Sequence, residues 1–198
     1  PWQNAAEGSI KEIKKGTRCK LRLTGAPRRT WSYAAKWVVN VRRLLHNEHP
    51  ACDGRTGFEH VTGSTPDISP MAMFDFWEPV WFLMPKAEYP YEKKCIGRWL
   101  GVAHNCTDDM AFIVLPKSGI PMTRKDVWAL SEDEKKNHVI AAELVGYDLK
   151  IHERIGDHAE APKEGTEVHF PAIPLELFEG DNEEALEPID PEEVKMEA

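Results

Sequence analysis

No run of uncharged apolar residues in this 198-residue chain is long enough to cross a bilayer, which reads as a soluble protein without membrane partners. A basic start followed by an apolar block is also missing, so no secretory signal is visible. The first residue is Pro1 rather than Met, which reads as a piece of a longer chain such as a polyprotein, or as a product of processing or of the gene assignment. Cysteine is scarce and unpatterned. Cys19, Cys52, Cys95 and Cys106 stand at irregular spacing with no CxxC pair. A chain of this length with ordinary core residues does not need a disulfide framework, so the four read as free thiols in a reducing, intracellular setting. Acidic residues are few at the front and basic ones few at the back. Residues 1–50 hold 11 Lys/Arg against 3 Asp/Glu, 51–130 hold 8 against 10, and 131–198 hold 6 against 20, within a net charge of −8. That asymmetry fits a polyanion-binding front. It fits equally a solvated chain whose ends attract each other.

Apolar spacing organises the rest. Ile10, Ile13, Thr17 and Leu21 recur at threes and fours and predict a helix over 5–22, weakened by Gly8 and Gly16 and broken by Gly25-Ala26-Pro27. Trp31, Ala34, Val38, Val41 and Leu45 predict a second helix over 29–46, with Lys36, Arg42 and Arg43 off its stripe. Residues 51–70 read as a connector with a helical turn near Phe58–Val61. Runs rich in β-branched and aromatic residues at 72–84, 94–103, 111–116 and 119–129 predict short strands, with Lys117-Ser118-Gly119 as a hairpin turn. Strands so short and close suggest a small barrel or a strongly curled sheet over 71–130. A helical segment follows over 131–158, its helix covering 131–145 and opened by Ser131 and Glu134 in capping-box spacing. The acidic, Pro-containing tail over 159–198 reads as disordered in isolation, with Phe170 to Phe178 available to dock on a partner.

The chemistry concentrates at the start, in Pro1-Trp2-Gln3-Asn4-Ala5-Ala6-Glu7-Gly8-Ser9-Ile10-Lys11-Glu12-Ile13-Lys14-Lys15. On a helix, Lys11 and Lys14 share a face with Glu7 at i+4 and i+7, with Lys15 beside them. Taken alone, that spacing is a common solvated surface pattern. The whole string is more specific. It resembles the segment around the third acidic residue of copia-type retrotransposon integrases, where a Pro-x-Gln-Asn-x-x-Glu stretch leads into the helix bearing a metal-binding Glu. The resemblance covers about 1–130 and continues in order: Trp31, Ala34 and Ala35; Thr56-Gly57-Phe58-Glu59, with Gly57 where the family has Pro; Gly63-Ser64-Thr65-Pro66; Phe74, Phe76, Trp77, Val80, Trp81 and Phe82; Cys95-Ile96-Gly97-Arg98-Trp99-Leu100-Gly101; and Thr123-Arg124-Lys125-Asp126-Val127-Trp128.

The resemblance implies an α+β fold: the C-terminal helices of an RNase H-like integrase core over 1–50, a connector over 51–70, an SH3-like β-barrel over 71–130, a helix and an acidic tail. It implies that Glu7 is the last carboxylate of a catalytic set of two Asp and one Glu and a ligand of Mg²⁺. Lys11, Lys14 and Lys15 would hold DNA phosphates, and Gln3 and Asn4 would hydrogen-bond a nearby nucleotide. The family's two aspartates lie upstream of its Glu, and Asp53, Asp67 and Asp75 match none of its motifs. DNA strand transfer is an in-line displacement at phosphorus that two Mg²⁺ about 4 Å apart stabilise. Several converging acids are needed for that, so the resemblance implies activity in an intact integrase and none in this chain alone. It also implies DNA as partner, a homo-oligomer in the intact enzyme, and a place in the nucleus or a virus-like particle. The alternative is a non-catalytic DNA- or chromatin-binding module.

Other clusters carry less. His46, His49 and Cys52 lack an evident fourth zinc ligand nearby, and His104-Asn105-Cys106 lacks the signature of a thiol hydrolase. Trp77, Trp81, Trp99 and Trp128 read as barrel core rather than an aromatic cage. Arg98, Arg124 and Lys125 are candidates for DNA contact at the barrel rim.

Overall fold

The computed structural model describes residues 5–45, 53–84, 93–104 and 110–156. Gln3 and Asn4, the His46/His49/Cys52 cluster, Asn105 and Cys106, and the tail with Phe170 to Phe178 lie outside the described residues. Within them the fold is mixed α+β, with helices packed on one antiparallel sheet.

Helix α1 spans Ala5–Thr24. Its predicted stripe is half used: Thr17 and Leu21 are buried, whereas Ile10, two turns earlier, is 53% exposed. The buried Thr17 hydroxyl donates to the Ile13 carbonyl at 2.7 Å, which satisfies it inside the helix. Gly25, at φ 66°, then takes the left-handed conformation that ends helices. A 3₁₀ turn over Arg28–Thr30 leads into α2, Trp31–Leu44. On α2 the stripe holds through Ala34 and Val38, which are buried, and stops at Leu45, which leaves the helix and is exposed. Gly16 lets the two helices close up, since a Cβ there would stand 3.0 Å from Val38 Cγ1.

The connector holds two short helices, α3 (Gly57–Thr62) and α4 (Ser69–Ala72). Thr56 and Glu59 make a reciprocal capping box on α3, Glu59 N–H to Thr56 Oγ1 at 3.1 Å and Thr56 N–H to Glu59 Oε2 at 3.0 Å. The family-based reading of 56–59 passes over this Thr-x-x-Glu signal.

Five strands follow: β1 Pro79–Leu83, β2 Lys94–Val102, β3 Phe112–Leu115, β4 Met122–Arg124 and β5 Val127–Ala129. They form one sheet in the order β4-β3-β2-β1-β5, with every pairing antiparallel. The predicted run over 72–84 becomes a strand only from Pro79. Asp75 to Glu78 form a turn closed by Glu78 N–H to Asp75 O at 3.1 Å, and Trp77 sits at φ 68°. Phe74 and Phe76 are buried all the same, from a loop rather than a strand. The run over 119–129 splits at Lys125-Asp126, which lets β5 leave β4 and pair with β1. The predicted turn does join β3 to β4, with Gly119 at φ 76° and its N–H on Pro116 O at 3.0 Å.

The single helix expected over 131–145 is two helices, α5 (Glu132–Lys136) and α6 (His138–Ile155). The Ser131–Glu134 capping box forms on α5. Asn137 then takes an extended backbone (φ −69°, ψ 123°) and its side chain accepts from Val139 N–H at 2.9 Å, stopping one helix and capping the next.

Two apolar clusters hold these parts together. One sits within the sheet's curl: Phe74, Val80, Phe82, Trp99, Phe112, Val114 and Val127. The other joins helices to sheet: Leu21 and Ala34 from the front helices, Leu100 and Leu115 from the strands, and Tyr147, Ile151 and Ile155 from α6. The last three recur every four residues, so one face of the C-terminal half of α6 is buried. Each fully buried side chain of this size contributes about 1.5–3 kcal/mol relative to exposure. Central strand β2 is covered on both faces, and its Gly97 is why β1 and β3 can close over it. A Cβ there would meet Val114 Cγ1 at 2.7 Å and Leu115 O at 2.8 Å.

Candidate nucleic-acid interface

Helix α1 carries six Lys/Arg, Lys20 among them, and two Glu in twenty residues. At about 100° per residue these charges fall into three groups. Lys20 turns inward, with Nζ 2.6 Å from Asp75 and 4.2 Å above the Trp37 ring. Glu12 lies toward α2 and pairs with Arg42. Glu7, Lys11, Lys14, Lys15, Arg18 and Arg22 fall within about 100° of arc on the flank turned away from α2.

That flank unites most of the sequence-predicted residues. Glu7, Lys11 and Lys15 are exposed, and Lys14 is half-buried. Among the described residues none of the four has an ion-pair or hydrogen-bond partner. Lysine ammonium groups on flexible stems suit phosphate contact without a fixed pocket, and Lys11 and Lys15 are the exposed ones here. Glu7 also stands in the first turn of α1, where a negative charge favours the helix dipole by a few tenths of a kcal/mol. That role needs no ligand.

The metal chemistry implied for Glu7 does not assemble here. No three His, Cys, Asp or Glu come together as a metal site among the described residues. Mg²⁺ wants near-octahedral oxygen ligation, and a two-metal centre needs several carboxylates. A lone Glu on an exposed helix does not meet that requirement by itself.

The other candidates resolve differently. Trp77 and Trp99 are core residues. Trp81 is half-buried, with Lys94 Nζ 4.4 Å above its ring and its indole N–H donating to Glu134 Oε1 at 3.2 Å. Trp128 is 44% exposed and lies across the strand pair from Trp81. Arg98 is not at a rim. Its side chain is 13% exposed, pairs with Asp148 at 2.6 Å and donates to Trp77 O at 3.2 Å, so it ties α6 to the sheet. His104 Nε2 lies 3.4 Å from Asn40 Nδ2 on α2. No helix among the described residues is long and apolar enough to cross a membrane. No model of a known family, no characterised protein and no solved structure matches the chain.

Proposed function

We propose that the chain is the C-terminal part of a copia-type retrotransposon integrase and that its own contribution is to bind DNA through α1. The observation that carries this reading is the unobstructed flank of α1, on which Glu7, Lys11, Lys14 and Lys15 stand together without partners among the described residues. Two further features support it. Ile10 is exposed on the apolar stripe of α1, as expected of a helix that covers a further part of an RNase H-like core. The strand order, with β5 returning beside β1 and a bulge between Trp99 and Gly101 bending β2, is compatible with an SH3-like arrangement. In the intact integrase, Glu7 would complete a Mg²⁺ site with two aspartates from elsewhere, in a DNA-bound homo-oligomer acting in the nucleus or a virus-like particle.

Phosphate binding by lysines is sequence-tolerant and releases counterions. The chain is expected to bind duplex DNA with log Kd rising linearly in log salt. Replacing Lys11, Lys14 and Lys15 together by Gln lowers that slope by about 0.9 for each phosphate no longer neutralised, roughly 2.7 for three. Fluorescence anisotropy over a salt series checks it, and an unchanged slope would remove α1 as the interface. The chain alone is expected to give no Mg²⁺-dependent joining of a donor DNA end, and joining by the isolated chain would overturn that. The reading frame preceding Pro1 is expected to encode two aspartates at integrase spacing.

A competing reading is a non-catalytic DNA- or chromatin-binding module, in which α1 and the sheet would be the working parts. DNA binding that persists in Glu7→Ala fits both. A preceding frame without the aspartates would select the module.

A further inference from the structure

On the side of α2 turned away from α1, two adjoining cavities of about 550 and 270 Å³ share Asn40, Met71, Val102 and His104 and form one groove. Its floor is apolar, built from Tyr33, Trp37, Val39, Met71, Val102 and Ile113. Lys36 and Arg43 stand at its borders, both exposed. Trp37, whose indole N–H is buried without a hydrogen-bond partner, stands in the groove wall and reports on what covers it. The proposed DNA flank on α1 makes no use of this surface.

We propose that the groove is the docking site of the chain's own segment 167–178, Glu167 to Phe178. Reach permits it. Ile155, at the end of α6, lies against the β3–β4 turn, 3.6 Å from where a Cβ on Gly119 would stand. Thr123, in the groove wall and paired with Ile113, is four residues beyond that glycine, at most about 14 Å of chain away. The ten residues 157–166 span up to about 33 Å when extended. Chemistry matches as well. The segment supplies Phe170, Ile173, Leu175 and Phe178 for an apolar floor, and Pro171 and Pro174 keep it out of a helix. Residues 167–178 hold two acids, Glu167 and Glu176, and no Lys/Arg, complementary to Lys36 and Arg43 at the borders.

The test compares two full-length chains, the natural one and one carrying Phe170→Ser, Leu175→Ser and Phe178→Ser. The readouts are amide hydrogen exchange over 33–40 and 100–104 and the NMR shift of the Trp37 indole, assigned with Trp37→Phe. Exchange in both stretches is expected to quicken at least tenfold in the triple variant, with the indole signal moving. A synthetic peptide of residues 165–180 should move it back. A full-length Val39→Asp chain, altered at a residue already 41% exposed, should match the triple variant and ignore the peptide. Identical exchange and shifts in the two chains overturn the proposal. So does protection that grows with chain concentration, which would make the occupant a second copy's tail.

Discussion

At the residue scale, Tyr147 shows how tightly α6 is keyed to the sheet. Its hydroxyl donates to Leu115 O at 2.5 Å, and burial pushes its phenol well above the ordinary value of 10.0. A raised folded value means that the unfolded chain gives up its proton first as pH climbs. The stability Tyr147 contributes is therefore complete below pH 10.0 and is lost progressively above it. Tyr147→Phe is expected to cost about 1 kcal/mol at neutral pH, from the missing hydrogen bond, and to flatten the alkaline fall. Urea unfolding at neutral and alkaline pH measures both, and an alkaline slope unchanged in the variant would assign it elsewhere. The sequence could not single out this tyrosine, nor pair Arg98 with Asp148, because neither partner is near in the chain. Helical spacing alone puts Glu7, Lys11 and Lys14 on one face of α1, but only the resemblance of residues 1–15 to integrases singles them out.

Among the elements, two glycines behave oppositely. Gly97 is enclosed by Val114, Leu115 and Phe82, whereas Gly8 has nothing within 4 Å of a would-be Cβ and sits in α1. Gly97→Ala is expected to destabilise by about 3 kcal/mol through overpacking. Gly8→Ala is expected to stabilise by about 0.5 kcal/mol through helix propensity. Chemical denaturation of both variants checks the signs, and a neutral Gly97→Ala would mean that the strands can part cheaply. Helices announced themselves best in the sequence, since three-and-four spacing and the Ser131 cap are local signals. The edges of strands were poorly marked, because Phe74 and Phe76 look like strand residues yet reach the core from a turn set by Trp77 and Pro79. Asn137 hid a helix break that only its cap geometry explains. Leu45 shows a stripe outrunning its helix.

Across the whole molecule, the front helices, the sheet and α6 share a core through Leu21, Ala34, Leu100, Leu115 and Ile151. Unfolding is accordingly expected as one transition, with tryptophan fluorescence and far-ultraviolet dichroism superimposing. Ile151→Ala should lower stability by about 3–4 kcal/mol and shift both signals together. Two separable transitions would show that the helices and the sheet are independent units. The mixed class was readable from the sequence, whereas the division of 119–129 into two strands and of the last helix into α5 and α6 was not. The shared core was not, because the spacing of apolar residues says which face is covered and never by what. The sheet's outermost strands, β4 and β5, are each three residues long. A stranger chain laid along either border would gain only a couple of ladder bonds, too few to offset the freedom it gives up, so stacking into fibres finds no foothold there.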